Sequence, residues 1–116
     1  MATIFLDGQL RVRRFTDQST HIYKLIPGDV NRPLSDIVND LEYPGLEADA
    51  QEVLRTLVFC EKQIATRRGG WYTVRIMPYR TVENVIDGVV VTFISITESK
   101  LLEAQLRSMQ KGPGKT

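Results

Sequence analysis

The sequence predicts one α+β domain, in which helices cover one face of an antiparallel sheet. Three observations support this class. A hairpin pattern lies near the N-terminus, three strands joined by tight turns are predicted within residues 61–97, and helical spacing occurs in the middle and at the end of the chain. At 116 residues the chain has the length of one domain, which buries roughly two-thirds of its unfolded surface.

The first hairpin is predicted over residues 3–13. Asp7 and Gly8 separate TIFL from an alternating run, and an Asp-Gly pair favours a type I′ turn with positive φ at both central residues. Within the alternating run, Leu10 and Val12 are expected to face the interior.

Helical pieces are predicted between this hairpin and residue 60. Pro-Gly pairs separate two short pieces from a longer helix that begins at Leu46. The expected apolar side is Ile22, Leu25 and Ile26 in the first piece, Ile37, Val38 and Leu41 in the second, and Leu46, Ala50, Val53, Leu54, Leu57 and Val58 in the longer helix.

Three strands are predicted after Cys60, over residues 61–67, 71–79 and 89–97. On the last strand, one face carries Val89, Val91 and Phe93, and the other carries Val90, Thr92, Ile94 and Ile96. A strand that is apolar on both faces is usually buried on both faces. The helices can cover only one face, so we expect the outer face to be covered by the C-terminal helix, a neighbouring segment or a second copy of the chain. The alternative is that these β-branched residues stay exposed, since scattered apolar groups are normal on protein surfaces.

The terminal helix carries an apolar stripe, and Thr97 is a candidate N-cap. Burying Leu102, Leu106 and Met109 offers roughly 5–9 kcal/mol, whereas association costs about 4–15 kcal/mol. The stripe alone would pair weakly, but the stripe and the outer sheet face together would pair well. The predicted dimer surface, with the residues that link its two parts, is therefore Val90, Thr92, Ile94, Ile96, Thr97, Leu102, Leu106 and Met109.

The charge balance and the cysteine count restrict the partners and the compartment. Fifteen basic and 14 acidic residues give a net charge of +1, which argues against nucleic acid as a partner. The single cysteine, Cys60, fits a reducing compartment, and no apolar run has the length of a membrane span. We expect a cytoplasmic protein that does not insert into membranes. Arg67 and Arg68 are interpreted as a solvated hairpin tip, with an anion site as the alternative.

Four segments together resemble the PAS domain family over nearly the whole chain. They are TIFLDGQLRVRRF, LIPGDVNRPLSDI, GGWYTVRIMPYR and DGVVVTFISITESK. The wording is most similar to PAS segments of bacterial chemotaxis proteins in which methylesterase and methyltransferase domains are fused. The resemblance implies a five-stranded antiparallel sheet with short helices on one face and a C-terminal helix. It divides the chain into a sensor and interaction domain at 1–97, a signalling helix at 98–110 and a flexible tail at 111–116.

PAS domains are sensory and interaction modules that pass signals through the helix after the last strand. The resemblance implies a non-enzymatic module of a bacterial signal-transduction protein, in a chemotaxis or two-component system, that forms a homodimer and acts on an effector domain of the same protein. Two positions depart from the family pattern. Ser95-Ile96-Thr97 replaces the common Asp-x-Thr, so a carboxylate is missing at the joint between the last strand and the C-terminal helix. Asn31 stands where Gly is frequent, and because Asn tolerates positive φ we expect the turn to persist.

The alternative function is a small-molecule sensor with a mostly apolar internal pocket. Its predicted lining is Leu54, Val58, Ile64, Tyr72, Val74 and Phe93, with Tyr72 as the inward polar group. Flavin is not expected, because Cys60 lies in VFCEK at the end of the long helix and lacks the Asn-Cys-Arg-type motif of flavin photosensors. Haem is not expected, because haem sensors of this fold usually bind the iron through a histidine on the long helix, whereas His21 lies in the first short helix. One histidine and one cysteine cannot form a zinc site, and no catalytic motif is present.

Overall fold

A five-stranded antiparallel sheet organises the fold, as the sequence predicts. The computed structural model describes residues 2–83 and 85–111. The strands are β1 (Ala2–Asp7), β2 (Val12–Phe15), β3 (Cys60–Ala65), β4 (Trp71–Arg80) and β5 (Ile86–Ser95), in the spatial order β2-β1-β5-β4-β3. The last strand in sequence is therefore the central strand of the sheet, paired with β1 on one edge and β4 on the other.

Two α-helices and three 3-10 helices make up the other regular structure of the described residues. The α-helices are α1 (Leu46–Thr56) and α2 (Thr97–Lys111), and the 3-10 helices span Asp17–His21, Pro27–Asp29 and Leu34–Asp36. Helix α2 includes the whole segment predicted as helical at 98–110. Residues 112–116, most of the predicted tail, lie outside the described residues.

The hydrophobic core lies between the inner sheet face and the helical segments. Alternation along the strands places Val12, Val89 and Val91 in it with no exposed surface. Helix α1 contributes Leu46, Ala50 and Val53 from one side of the helix. The predicted inward direction of Leu10 and Val12 is confirmed, because both are buried.

In the two short helical pieces, the predicted apolar positions Ile26 and Val38 are wrong. Both side chains are exposed. The first 3-10 helix ends at His21, and Ile26 has extended backbone angles. Ile37 is also extended, so consecutive side chains point to opposite sides and Val38 faces away from the buried Ile37.

The predicted type I′ turn is also corrected. Leu10, at φ 61°, takes the left-handed conformation, and Gly8 does not have positive φ. The Asp7 carboxylate accepts hydrogen bonds from the backbone N–H groups of Gln9 and Arg11, both at 2.9 Å. This side chain organises the loop, so the glycine is not needed for a left-handed position. The positive φ expected at Asn31 is confirmed at 75°.

Helix α1 ends earlier than its apolar spacing predicts. Leu57 adopts a left-handed conformation at φ 61° and donates its N–H to the Val53 carbonyl. The chain then changes direction, and Val58 is 63% exposed. Val58 therefore does not line the interior, contrary to the predicted pocket. Cys60 is the first residue of β3 and not the end of the helix.

Candidate functional site

The joint between β5 and α2 is held by the first residue of β4, Trp71. The Trp71 N–H donates to Thr97 Oγ1 at 3.0 Å, and the Ile96 N–H donates to the Trp71 carbonyl at 2.9 Å. The Ile96 carbonyl accepts from the Lys100 N–H, as the start of a helix requires. Thr97 therefore bonds across to β4 and does not act as the predicted N-cap. Two strands of the sheet jointly determine where α2 begins.

Lys100 adds a second contact between α2 and Trp71. Its ammonium nitrogen lies 5.0 Å from the centroid of the Trp71 ring, within the range of a cation–π interaction. The same nitrogen lies 3.6 Å from a carboxylate oxygen of Glu103. The first turn of α2 is thus attached to the sheet through one residue, Trp71, by its backbone and its ring.

Beyond its first turn, α2 is exposed. Leu102 and Leu106 are each 58% exposed, and the side chains of residues 101–108 are all exposed. The side chain of Met109 lies outside the described residues. The predicted apolar stripe is therefore present at Leu102 and Leu106, and it does not fold back onto the sheet.

The outer face of the sheet carries an apolar band along β5 and its neighbouring strands. Val90 and Thr92 are half-buried between neighbouring strands, and Ile94 is 38% exposed. Phe5 and Tyr79 extend the band with an edge-to-face contact of 5.6 Å between ring centroids. Because the side chains of α2 at 101–108 are exposed, the helix does not supply the second cover that the sequence calls for.

Ion pairs border this apolar band. Arg75 contacts Glu61 at 2.7 Å on the β3–β4 side, and Arg13 contacts Asp87 at 2.5 Å on the β1–β2 side. Arg14 lies over the Phe5 ring at 4.5 Å. Arg75 lies directly opposite Thr92 in the β4–β5 register, so charge stands beside the middle of the central strand as well as at the edges of the band. Protein–protein interfaces usually combine an apolar centre with a polar rim.

Five of the six predicted pocket residues lie together at the inner sheet face. Val74 and Phe93 are fully buried, and Leu54, Ile64 and Tyr72 pack against the core. Val58 lies outside this group. The pocket itself remains a prediction.

Tyr23 is a buried residue beside the predicted pocket that no sequence pattern indicated. This side chain is buried, and its ring lies 6.0 Å from that of Phe93. Burial raises the pKa of Tyr23 above its ordinary range, and the Glu47 carboxylate acts in the same direction. Its hydroxyl is therefore neutral at physiological pH. Tyr23 lies beside the predicted pocket residues and is more deeply buried than Tyr72. The helical spacing of Ile22 and Leu25 does not include Tyr23, so it did not predict that Tyr23 is buried.

A polar cluster connects α1 to β3 at the edge of the core. Asp49 accepts hydrogen bonds from Tyr43 and, at 2.6 Å, from Lys62. Burial opposes ionisation of Asp49, but the bonds from Lys62 and Tyr43 outweigh it, so the pKa of Asp49 is lowered. Burial and the Asp49 contact raise the pKa of Tyr43. The cluster is fully paired and has a structural role.

Comparisons with known proteins decide the family. A family model described as PAS domain matches residues 1–97. The chain belongs to the PAS domain family. A curated relative from Rhodobacter capsulatus, named "Uncharacterized 104.1 kDa protein in hypE 3'region", is 36% identical over 103 residues. The match covers 89% of this PAS domain and 11% of the relative, so the chain spans a small part of that relative's length.

Solved structures agree with this fold. The PAS domain of the histidine kinase ThkA has a TM-score of 0.67 at 17% identity, over 81% of this chain and 99% of that one. VqmA bound to DPO also gives 0.67 at 12% identity, over 88% of this chain and 54% of that one. A PAS domain from Colwellia psychrerythraea gives 0.58 at 15% identity, over 84% and 86%. At these identities the similarity shows the fold.

A membrane-spanning helix is not found in the described parts of this PAS domain, where neither α1 nor α2 has the length and apolarity needed. Within the same residues, His, Cys, Asp and Glu side chains form no group of three that could hold a metal ion.

Thr97→Val tests the joint. We expect the free energy of unfolding to fall by about 1 kcal/mol, because a partly buried N–H loses its acceptor. Hydrogen exchange at the Trp71 amide should accelerate, as followed by NMR. Ser99→Ala removes a hydroxyl from the same helix without touching Trp71 and serves as the control. Unchanged exchange at Trp71 in Thr97→Val would show that this bond does not hold the joint.

Proposed function

We propose that this PAS domain is a sensory and protein-interaction module of a bacterial, cytoplasmic signalling protein. It forms a homodimer through the outer sheet face and α2, and it relays conformational change through α2 to an effector domain. One observation carries the proposal: apolar side chains of the central strand and of α2 lie uncovered on both sides of a joint held by Trp71.

The dimer is supported by the area that a second copy would cover. Leu102 and Leu106 alone offer about 2–4 kcal/mol, since each is more than half exposed. This is less than the cost of association. The outer face adds the apolar side chains of Phe5, Val90 and Ile94. Together, the two surfaces supply more of the buried apolar area that a stable interface needs.

The relay is supported by the geometry of the joint. Helix α2 follows the central strand directly and is attached to β4 through its first turn, while its described side chains beyond that turn are exposed. A shift between β4 and β5 would therefore change the direction of the whole helix. Ser95 Oγ lies 3.5 Å from Thr97 Oγ1, so hydroxyl groups occupy the position where relatives commonly have a carboxylate.

The effector domain is a further part of this proposal. The ThkA match is the PAS domain of a histidine kinase. VqmA from Vibrio cholerae is described as a dimer with a target DNA. The named relative is uncharacterised. The similarity in wording to chemotaxis methylesterase/methyltransferase fusions makes those enzymes our candidate effectors.

Sedimentation velocity tests the dimer. We expect the native chain to sediment as a dimer, and Ile94→Arg and Leu106→Arg to sediment as folded monomers, because each places a charge in the apolar contact. Val82→Arg is the matched control, since Val82 is fully exposed in the β4–β5 loop. A dimer that persists in both variants, or dissociates equally in the control, would contradict the interface.

A ligand sensor is the second candidate. It is supported by the cluster of Tyr23, Tyr72 and Phe93 at the inner sheet face and by VqmA, which is described as bound to DPO. Native mass spectrometry and a visible absorption spectrum of the purified protein distinguish the two functions. We expect a mass without adduct and no flavin or haem bands. A retained small molecule that is lost in Phe93→Trp, which fills the interior, would favour the sensor.

A further inference from the structure

A polar groove lies between the first 3-10 helix and the turn that follows β3. Its volume is about 380 Å³, which falls in the range of small-molecule sites. The residues that matter for its chemistry are His21, Lys24, Asn39, Asp40, Arg67 and Arg68. None of them belongs to the predicted apolar pocket or to the proposed dimer surface.

The walls of the groove are held by backbone hydrogen bonds. The Lys24 N–H donates to the Val38 carbonyl at 2.8 Å, the Asp40 N–H to the Ile22 carbonyl at 2.9 Å, and the Arg67 N–H to the Asp40 carbonyl at 2.9 Å. Three segments that are distant in sequence are thus fixed side by side. Because these hydrogen bonds already fix the walls, binding a ligand does not carry the entropy cost of ordering the walls.

The charge inside the groove is positive and incompletely paired. Lys24, Arg67 and Arg68 bring three positive charges, and Asp40 brings one negative charge. Arg68 reaches Asp40 only at 3.8 Å. Among the residues that the structure describes, Lys24 and Arg67 have no ion-pair partner. The groove therefore carries a net charge of about +2, whereas the whole chain carries +1.

The composition of the groove selects an anion. Guanidinium groups match the oxygens of phosphate and carboxylate groups in a fork geometry, and an ammonium group adds a flexible point charge. The amide of Asn39 and the hydroxyl of Thr20 offer neutral hydrogen-bond donors in the same groove. Like charges collected on one concave surface repel each other, so an anion with two charges would relieve that repulsion.

We propose that this groove binds a small dianion with phosphate or paired carboxylate groups, through Lys24, Arg67 and Arg68. The site does not depend on the proposed dimer. Its position connects it to the joint, because the turn that carries both arginines ends at Trp71, and Thr66 Oγ1 accepts the Gly70 N–H inside that turn at 2.9 Å.

Isothermal titration calorimetry of the whole chain at low ionic strength tests the site, with inorganic phosphate and succinate as separate probes. We expect saturable binding of at least one probe to one site per chain. Whichever probe binds more tightly identifies the anion group. Arg67→Gln should weaken binding about fivefold, the effect of one exposed ion pair. Asp40→Asn should tighten binding about threefold, because it removes the opposing charge and releases Arg68.

Arg107→Gln is the matched control, since it removes the same charge from the exposed part of α2. Its affinity should equal that of the native chain. Tighter binding in Asp40→Asn cannot arise from a folding defect, so this variant keeps the test decisive if Arg67→Gln is unstable. Absence of saturable binding by both probes, or an equal loss in Arg67→Gln and Arg107→Gln, would overturn the proposal.

Discussion

The central position of β5 is the constraint on which the rest of the structure depends. Its backbone is hydrogen-bonded on both edges, with Val91 opposite Ile4 of β1 and Ile76 of β4. Because two neighbours fix the register, no one-residue slip can exchange the faces of the strand. Val89, Val91 and Phe93 must then fill the core, and Val90, Thr92 and Ile94 must stand on the other side of the sheet.

This arrangement also determines how the chain leaves the sheet. Because β5 is the central strand, the chain leaves the sheet between two neighbouring strands, and residues 96 and 97 contact β4 directly after β5 ends. Trp71 uses its N–H, its carbonyl and its ring to hold residues 96, 97 and 100. The attachment covers one helical turn, and the side chains of α2 at 101–108 beyond it are exposed. In the proposed relay, a small movement at Trp71 would be enlarged along α2.

The elements that alternation and spacing determine could be predicted from the sequence, and the exceptions have local physical causes. The strands, their faces and the main helix follow from apolar periodicity. Leu57 could not be predicted as a helix end, because a left-handed leucine breaks the usual preference for glycine. The Thr97 contact could not be predicted either, since its partner Trp71 is 26 residues away. Tyr23 is buried by tertiary packing in an irregular segment, where no period applies.

The claim that a second copy covers the outer sheet face is tested most directly by the solvent access of methyl groups. Methyl NMR with a soluble paramagnetic agent, at high and at low protein concentration, measures the access of solvent to Val90 and Ile94 separately. A covering copy predicts that both are shielded in concentrated protein and become accessible on dilution, while Val82 stays accessible throughout. Equal access of Val90 and Ile94 at every concentration would contradict it.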